Sequence, residues 1–145
     1  MQHALAEARA AGQRGEVPIG AVLVDTESGD IIVGAGNGPV AFNDPTAHAE
    51  ILVLRRAAQK QKTYRLSGVT LYVTLEPCTM CAAAISFARV SRLVYGASDA
   101  KGGGIEHGAR FFEQPTCHHR PEIVRGILAE ESARLLSEFF RERRG

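Results

Sequence analysis

The chain has 145 residues, 23% of them charged and 45% hydrophobic, with a net charge of only +1. This length is expected to fold as one domain spanning residues 1–145, burying roughly 68–70% of the surface that the unfolded chain exposes, without disulfide staples. The charge balance excludes a global pull toward nucleic acid, and no apolar run approaches the ~18 residues of a membrane span.

The opening stretch is rich in alanine, and a weakly amphipathic helix is predicted over residues 2–13, ending near Gly12 or Gly15. Glu7, Arg9, Arg14 and Glu16 interrupt any signal-peptide core, and the two acids argue against a transit peptide, so a soluble protein of the cytoplasm is expected. "VPIGAVLVD" and "DIIVGAG" are apolar on both faces and separated by "TESG", which predicts a hairpin of two largely buried strands. "NGPVAFNDP" is full of turn-formers and reads as a loop. "TAHAEILVLRRAAQK" then reads as a helix with Asp44 or Thr46 as its cap, apolar nearly all round until Arg55 and therefore buried.

"VTLYVTL" alternates between Val69, Leu71, Val73, Leu75 and Thr70, Tyr72, Thr74, the two-residue period of a strand. Pro77 suits the first turn of a helix running to Arg89, since its missing N–H costs nothing there. "RLVYGA" is another strand, so strand, helix and strand form a right-handed crossover with the two strands parallel. The glycine-rich stretch "KGGGIEHGARFFEQPTCHHRP" reads as a loop. A last helix is predicted near 129–143, with Leu128, Leu135, Leu136, Phe139 and Phe140 at helical spacing. The sum is one α/β domain of three layers, α/β/α.

The chain has three cysteines, and two of them, Cys78 and Cys81, stand three residues apart at a strand-to-helix junction. Such a pair is not a long-loop crosslink, so metal binding or redox chemistry is indicated. Two sulfurs on one zinc lie ~3.8 Å apart, within reach of i and i+3 side chains on a helix, and a helix N-terminus favours the thiolates that bind metal. Alone, C-x-x-C is a weak signal, compatible with chance, with a structural zinc site completed by Cys117 and His118 or His119, and less well with a redox dithiol, since Glu76-Pro77 precedes the pair and Ala82-Ala83 follows it. A second metal at Cys117, His118 and His119 is a separate reading, and a less economical one, because adjacent loop histidines more often cap backbone or face water.

Upstream, "TAHAE" supplies His48 and Glu50 at the start of their own helix. In mid-helix, positions i and i+2 point ~200° apart, but at the helix end they can converge on one object. One His with two Cys leaves a tetrahedral zinc an open fourth position, the mark of a catalytic site, where bound water ionises near pH ~7. Glu50, in dry surroundings that raise its pKa, is the matching proton carrier. A capping acid beside a satisfied core histidine is the plainer reading of the pair taken without the cysteines.

His48-Ala49-Glu50 with Pro77-Cys78-Thr79-Met80-Cys81 resembles the H-x-E…P-C-x-x-C signature established for the zinc nucleobase deaminases. "EVPIGAVLV", "NDPTAHAEI", "YRL", "TLYVTLEPCTMCAAAI" and "GILAEESARLLSEFFRERR" are similar to the bacterial tRNA adenosine deaminases along nearly the whole chain. The resemblance implies a cytidine-deaminase-like domain with a mixed central sheet and one Zn²⁺ per chain on His48, Cys78 and Cys81. It also implies Glu50 as the catalytic residue of a hydrolase acting on the C–N bond of a cyclic amidine, adenosine to inosine. The implied partner is a tRNA anticodon stem-loop, whose wobble base must be splayed from its stack, at least cost in a loop. Carried over by position, the substrate contacts are Asn37, Ala49, Asp99, Lys101 and Phe140, with the Arg141–Arg144 segment beside flanking nucleotides. Their plain alternatives are a turn residue for Asn37, a strand-end cap for Asp99 and core packing for Phe140.

In the same resemblance, a homodimer is expected, which the small residues of "CAAAISFA" suit, and neither DNA nor a membrane is an expected partner. "GGGIEHGARFF" departs from the G-A-x-G-S pattern of that family, which locates any difference in the substrate mouth there. The alternative activities are a free nucleobase or nucleoside deaminase of guanine or cytosine type, and, from another class, a non-catalytic zinc-stabilised RNA-binding module.

Overall fold

The computed structural model describes residues 1–144; Gly145, which closes the expected domain, lies outside the described residues. Among the described residues, five α-helices and five strands follow in the order α1 (Gln2–Gln13), β1 (Gly20–Asp25), β2 (Ile31–Gly36), α2 (Pro39–Phe42), α3 (Ala49–Gln61), β3 (Val69–Leu75), α4 (Thr79–Phe87), β4 (Arg92–Ala97), β5 (Glu122–Val124) and α5 (Ala129–Arg144), with a short 3-10 turn at Phe111–Glu113. The strands form one sheet in the order β2-β1-β3-β4-β5.

β1 pairs antiparallel with β2, as the hairpin reading requires, with an irregularity in register between Leu23 and Val24. β1 also pairs antiparallel with β3, whereas β3–β4 and β4–β5 are parallel, so the sheet is mixed. The crossover β3-α4-β4 is the one read from the chain. Both faces of β3 are closed: Leu71 and Val73 are fully buried on one, Thr70 and Thr74 nearly so on the other. A strand covered on both faces is what a three-layer domain demands, and α1 with α5 forms one outer layer while α3 with α4 forms the other. Among the described residues no helix is long and apolar enough to cross a membrane.

The register decides which loops meet. Gly20 opposes Gly36, and its N–H donates to the Thr74 hydroxyl at 3.2 Å, so the start of β1, the end of β2 and the end of β3 share one edge. Leu75 pairs with Ala97, which brings the end of β4 to the same place. Residues leaving β2, β3 and β4 therefore emerge together, at the carboxyl ends where open α/β sheets bind their ligands.

Several elements differ from the sequence reading. Pro39–Phe42 forms a helical turn inside the expected loop, because the buried Glu16 carboxylate accepts the N–H groups of Val40 (3.1 Å) and Ala41 (2.8 Å). α3 begins at Ala49, with His48 as N-cap rather than Asp44 or Thr46. Asp44 is spent on Thr46 instead, accepting its N–H at 2.8 Å and its hydroxyl at 2.7 Å. Likewise α4 starts at Thr79, not Pro77, and Cys78 is its extended N-cap residue. β5 is too short to carry a periodic signal, and Leu128 sits ahead of α5 with φ +55°, outside the helical stripe assigned to it.

Leu71 is 0% exposed at the centre of the core. Leu71→Ala is expected to lower unfolding stability by about 2–5 kcal/mol in urea titrations, the range for buried leucine truncations.

Candidate active site

His48 and Cys78 are the N-cap residues of two helices, and Cys81 occupies the third position of α4. Gly38 N–H donates to Ala47 O at 2.9 Å, which returns the 37–48 segment to the edge where β2 ended and delivers His48 beside the cysteine turn. His48 Nδ1 lies 3.7 Å from Cys78 Sγ and 3.6 Å from Cys81 Sγ. A nitrogen and a sulfur bound to one tetrahedral zinc, at ~2.0 and ~2.3 Å, would be about 3.5 Å apart. The three donors thus already stand at the spacing of a shared ion. Among the described residues no fourth His, Cys, Asp or Glu joins this group.

The electrostatics point the same way. Hydrogen bonding from the Cys81 thiol holds the Cys78 thiol down to about 4, against its burial, and His48 assists. Hydrogen bonding to Cys78, then partial burial and the Glu50 charge, set the direction of His48: it is raised overall. Cys81 is pushed up, because its proton serves Cys78 and because it is buried beside Glu50. Two thiolates next to a carboxylate have too much negative charge to coexist unaided, so the donor set fits a divalent cation.

Glu50 is 4% exposed, in the first turn of α3. Burial pushes its carboxyl up to about 7, only partly opposed by its own backbone N–H and by His48. Such a group can both accept and return a proton at neutral pH.

The remaining candidates divide. Asn37 is 7% exposed, and its Oδ1 is a buried acceptor with no partner, while its N–H donates to Ile19 O at 2.9 Å. Ala49 is fully buried, which leaves its backbone as the part it can offer a ligand. Asp99 closes a turn, its Oδ1 accepting the N–H of Lys101 at 3.1 Å and of Gly102 at 3.0 Å, while Lys101 itself is exposed. Phe140 is 45% exposed, packs edge-on against Phe139, and with Asp99, Leu75 and Leu136 lines a cavity of about 380 Å³. Cys117, His118 and His119 do not form a second metal group among the described residues. The His119 ring instead bonds Val90 O at 2.7 Å, and its own carbonyl accepts from Ser86.

Sequence reasoning missed Glu76. It is 2% exposed, and burial pushes its carboxyl up, but the N–H groups of Asp99, His107 and Ile105 and the His107 ring outweigh this and hold it below the usual carboxylate range. Its position immediately before Pro77-Cys78 was the available signal.

A family model described as MafB19-like deaminase matches residues 1–144. The chain is 60% identical over 144 residues to the tRNA-specific adenosine deaminase of Agrobacterium fabrum, covering 99% of this chain and 93% of that one. It is 50% identical to the protein of the same description from Haemophilus influenzae, covering 99% and 83%. A solved structure from work on A-to-I editing by tRNA:A34 deaminases at the wobble position superposes with a TM-score of 0.91 at 60% identity, covering 94% of this chain and 97% of that chain.

In the metal-free protein, Glu50 binds its proton more tightly folded than unfolded. Its contribution to stability is therefore full below about pH 4.5 and is lost as pH rises through about 7. Measured as urea stability against pH, the native chain should lose ground to Glu50→Gln across that window and run parallel to it outside.

Proposed function

We propose that this chain, which belongs to the MafB19-like deaminase family, converts adenosine to inosine by hydrolysis at the wobble position of a tRNA anticodon. The observation that carries the reading is the meeting of His48 Nδ1 with the Cys78 and Cys81 sulfurs at 3.7 and 3.6 Å, beside a buried carboxyl poised at about 7. The names of relatives sharing 60% and 50% identity over nearly the full chain supply the substrate.

His48, Cys78 and Cys81 would hold one zinc ion per chain, and zinc in such a set supplies a water activated for attack at neutral pH. Glu50 would carry two protons in turn, the first from the attacking water to the purine ring nitrogen, where it stays, and the second from the new C6 hydroxyl to the departing amine. A C6–O bond forms, the C6–N bond breaks, and one ammonia leaves for each water consumed. The unpaired Asn37 Oδ1 is suited to accept a hydrogen bond from the base. The Ala49 N–H, the Asp99–Lys101 turn and Phe140 would border the mouth that the splayed nucleotide enters. A half-exposed aromatic there fits base stacking, worth about 1–3 kcal/mol per base. The arginines closing α5, Arg141, Arg143 and Arg144, would meet phosphates, a local pull that the net charge does not provide.

The same reading makes the chain a homodimer of the cytoplasm. α3 and α4 leave a groove of about 340 Å³ lined by Ile51, Leu54, Leu66, Ala84 and Ala88, with Tyr64 and Phe87 on its rim 70% and 67% exposed. Large apolar groups beside an apolar groove are what a self-complementary interface presents. Phe87→Glu together with Tyr64→Glu should shift the sedimentation coefficient from dimer to monomer; a native chain that sediments as a monomer would exclude this surface as a dimer interface.

The decisive assay offers zinc-loaded protein an anticodon stem-loop beside adenosine, guanine and cytosine. Inosine should form in the RNA and not from free adenosine, and ammonia released from guanine or cytosine instead would move the chain to the free-base deaminases. Glu50→Ala should retain its zinc and lose about 10²–10⁴-fold in kcat.

A further inference from the structure

Glu76 follows the last residue of β3 and has a side chain with no exposed surface. Its Oε2 accepts three backbone N–H groups, from Ile105 at 3.1 Å, Glu106 at 2.9 Å and His107 at 3.1 Å. Its Oε1 accepts the Asp99 N–H at 2.9 Å and meets the His107 Nδ1 at 2.9 Å. A carboxylate has about four lone-pair sites, and here five donors crowd them, drawn from both ends of the 99–107 segment. Glu76, Glu106 and His107 lie as close together as metal ligands do. With the Glu76 lone pairs spent on N–H donors and a Glu106 oxygen accepting the Tyr95 hydroxyl, the cluster is a hydrogen-bond hub and not a cation site.

The hub presses the segment onto the cysteine turn. Gly104 N–H donates to Pro77 O at 2.8 Å. A Cβ on Gly104 would lie 2.5 Å from Thr79 N and 2.8 Å from the Cys78 carbonyl carbon, and one on Gly103 would collide with Glu76 itself. The glycines of "KGGGIEHG" are therefore the condition for this contact. Farther out, Arg125 approaches the second Glu106 oxygen at 3.5 Å and pins the segment to the chain after β5. At the start of the segment, the Asp99–Lys101 turn is exposed at Lys101, and Asp99 lines the cavity that Phe140 also lines.

We infer that Glu76 is a positioning residue, which fastens the 99–107 segment to the Cys78–Thr79 turn so that the substrate-facing Asp99–Lys101 turn and the metal-facing Cys78 are held in one frame. The functional half of this inference rests on the deaminase reading above; the mechanical half does not. Residues that orient ligands from behind typically matter by about 10–100-fold in affinity or activity.

The test uses the full-length zinc protein and Glu76→Gln. A glutamine has one acceptor oxygen: with it on the three backbone donors, its NH₂ faces the Asp99 N–H, donor against donor. Amide exchange at 105–107 is expected to speed by about 10-fold or more while β3 amides stay protected. The visible bands of the cobalt-substituted protein should shift, and kcat/KM on the stem-loop should fall about 10-fold or more, chiefly through KM. His107→Ala, which removes a single donor and spares the four backbone ones, should change exchange, spectrum and kinetics less than Glu76→Gln does. Should Glu76→Gln fail to fold, Gly104→Ala must reproduce the same exchange and cobalt changes by prying the segment off the turn.

Unchanged exchange, spectrum and kinetics in Glu76→Gln would overturn the inference, as would an equal rise of exchange in β3 and the segment, which is general destabilisation. If the segment loosens and the cobalt bands shift while the native protein itself makes no inosine, the positioning stands and the activity assignment falls.

Discussion

The structure turns on two helix N-termini aimed at one point. His48 caps α3, Cys78 caps α4, and Cys81 lies one turn in, so three side chains from two stretches of chain converge. The geometry of a cap explains why. An N-cap residue keeps extended backbone, which lets its side chain project past the helix end instead of being laid along its flank. The partial positive charge of each terminus, with its unpaired N–H groups, also favours anionic sulfur. The mixed sheet exists, for this purpose, to park both termini at one edge: β3 delivers the cysteines, and the return of the 37–48 segment after β2 delivers the histidine.

Around this point three buried glutamates have been put to three uses by their surroundings alone. Glu16 is fed by the first N–H groups of α2 and makes a helical turn out of a segment with little helical character. Glu76 is fed by backbone N–H groups from one loop and stays ionised. Glu50 has scant donor support and lies against thiols, so burial carries it toward neutrality. The N–H groups aimed at Glu76, and their scarcity at Glu50, are what move these two buried carboxyls in opposite directions.

Much of this was legible in the residues. The alternation of "VTLYVTL", the apolar run of α3 and the crossover all rest on local periodicity, and they stand as read. Convergence of His48 with the cysteines was legible because a lone helix start cannot explain both motifs. Helix starts were not: Asp44 and Thr46 have ideal cap chemistry, but they satisfy each other, and the chain reaches helical geometry only at Ala49. Four-residue α2 and three-residue β5 carry too few positions for any period, and both owe their existence to distant partners, Glu16 and β4. Beyond its place before Pro77-Cys78, Glu76 carried no local signal, since its partners are Asp99 and a stretch that reads only as glycine-rich loop.

On the proposed reading, Asn37 shows what such a frame is held together for. Its Oδ1 is buried without a donor, a condition that costs about 1–3 kcal/mol and that the 37–48 segment endures by being tied down through Gly38 and through the Glu16 cap on α2. An acceptor already stripped of water loses nothing further when a ligand arrives, so whichever ligand brings a matching N–H recovers the whole deficit. On the proposed reading that ligand is the base, and one lacking a donor at that position would leave the deficit in place. Discrimination of this kind adds to that from apolar shape, where a methylene is worth about 1–3 kcal/mol. It is also fragile, because it survives only while the loop around it cannot relax toward solvent. On the proposed reading, rigid support from Glu16 on one side and Glu76 on the other is therefore part of selectivity as well as of stability.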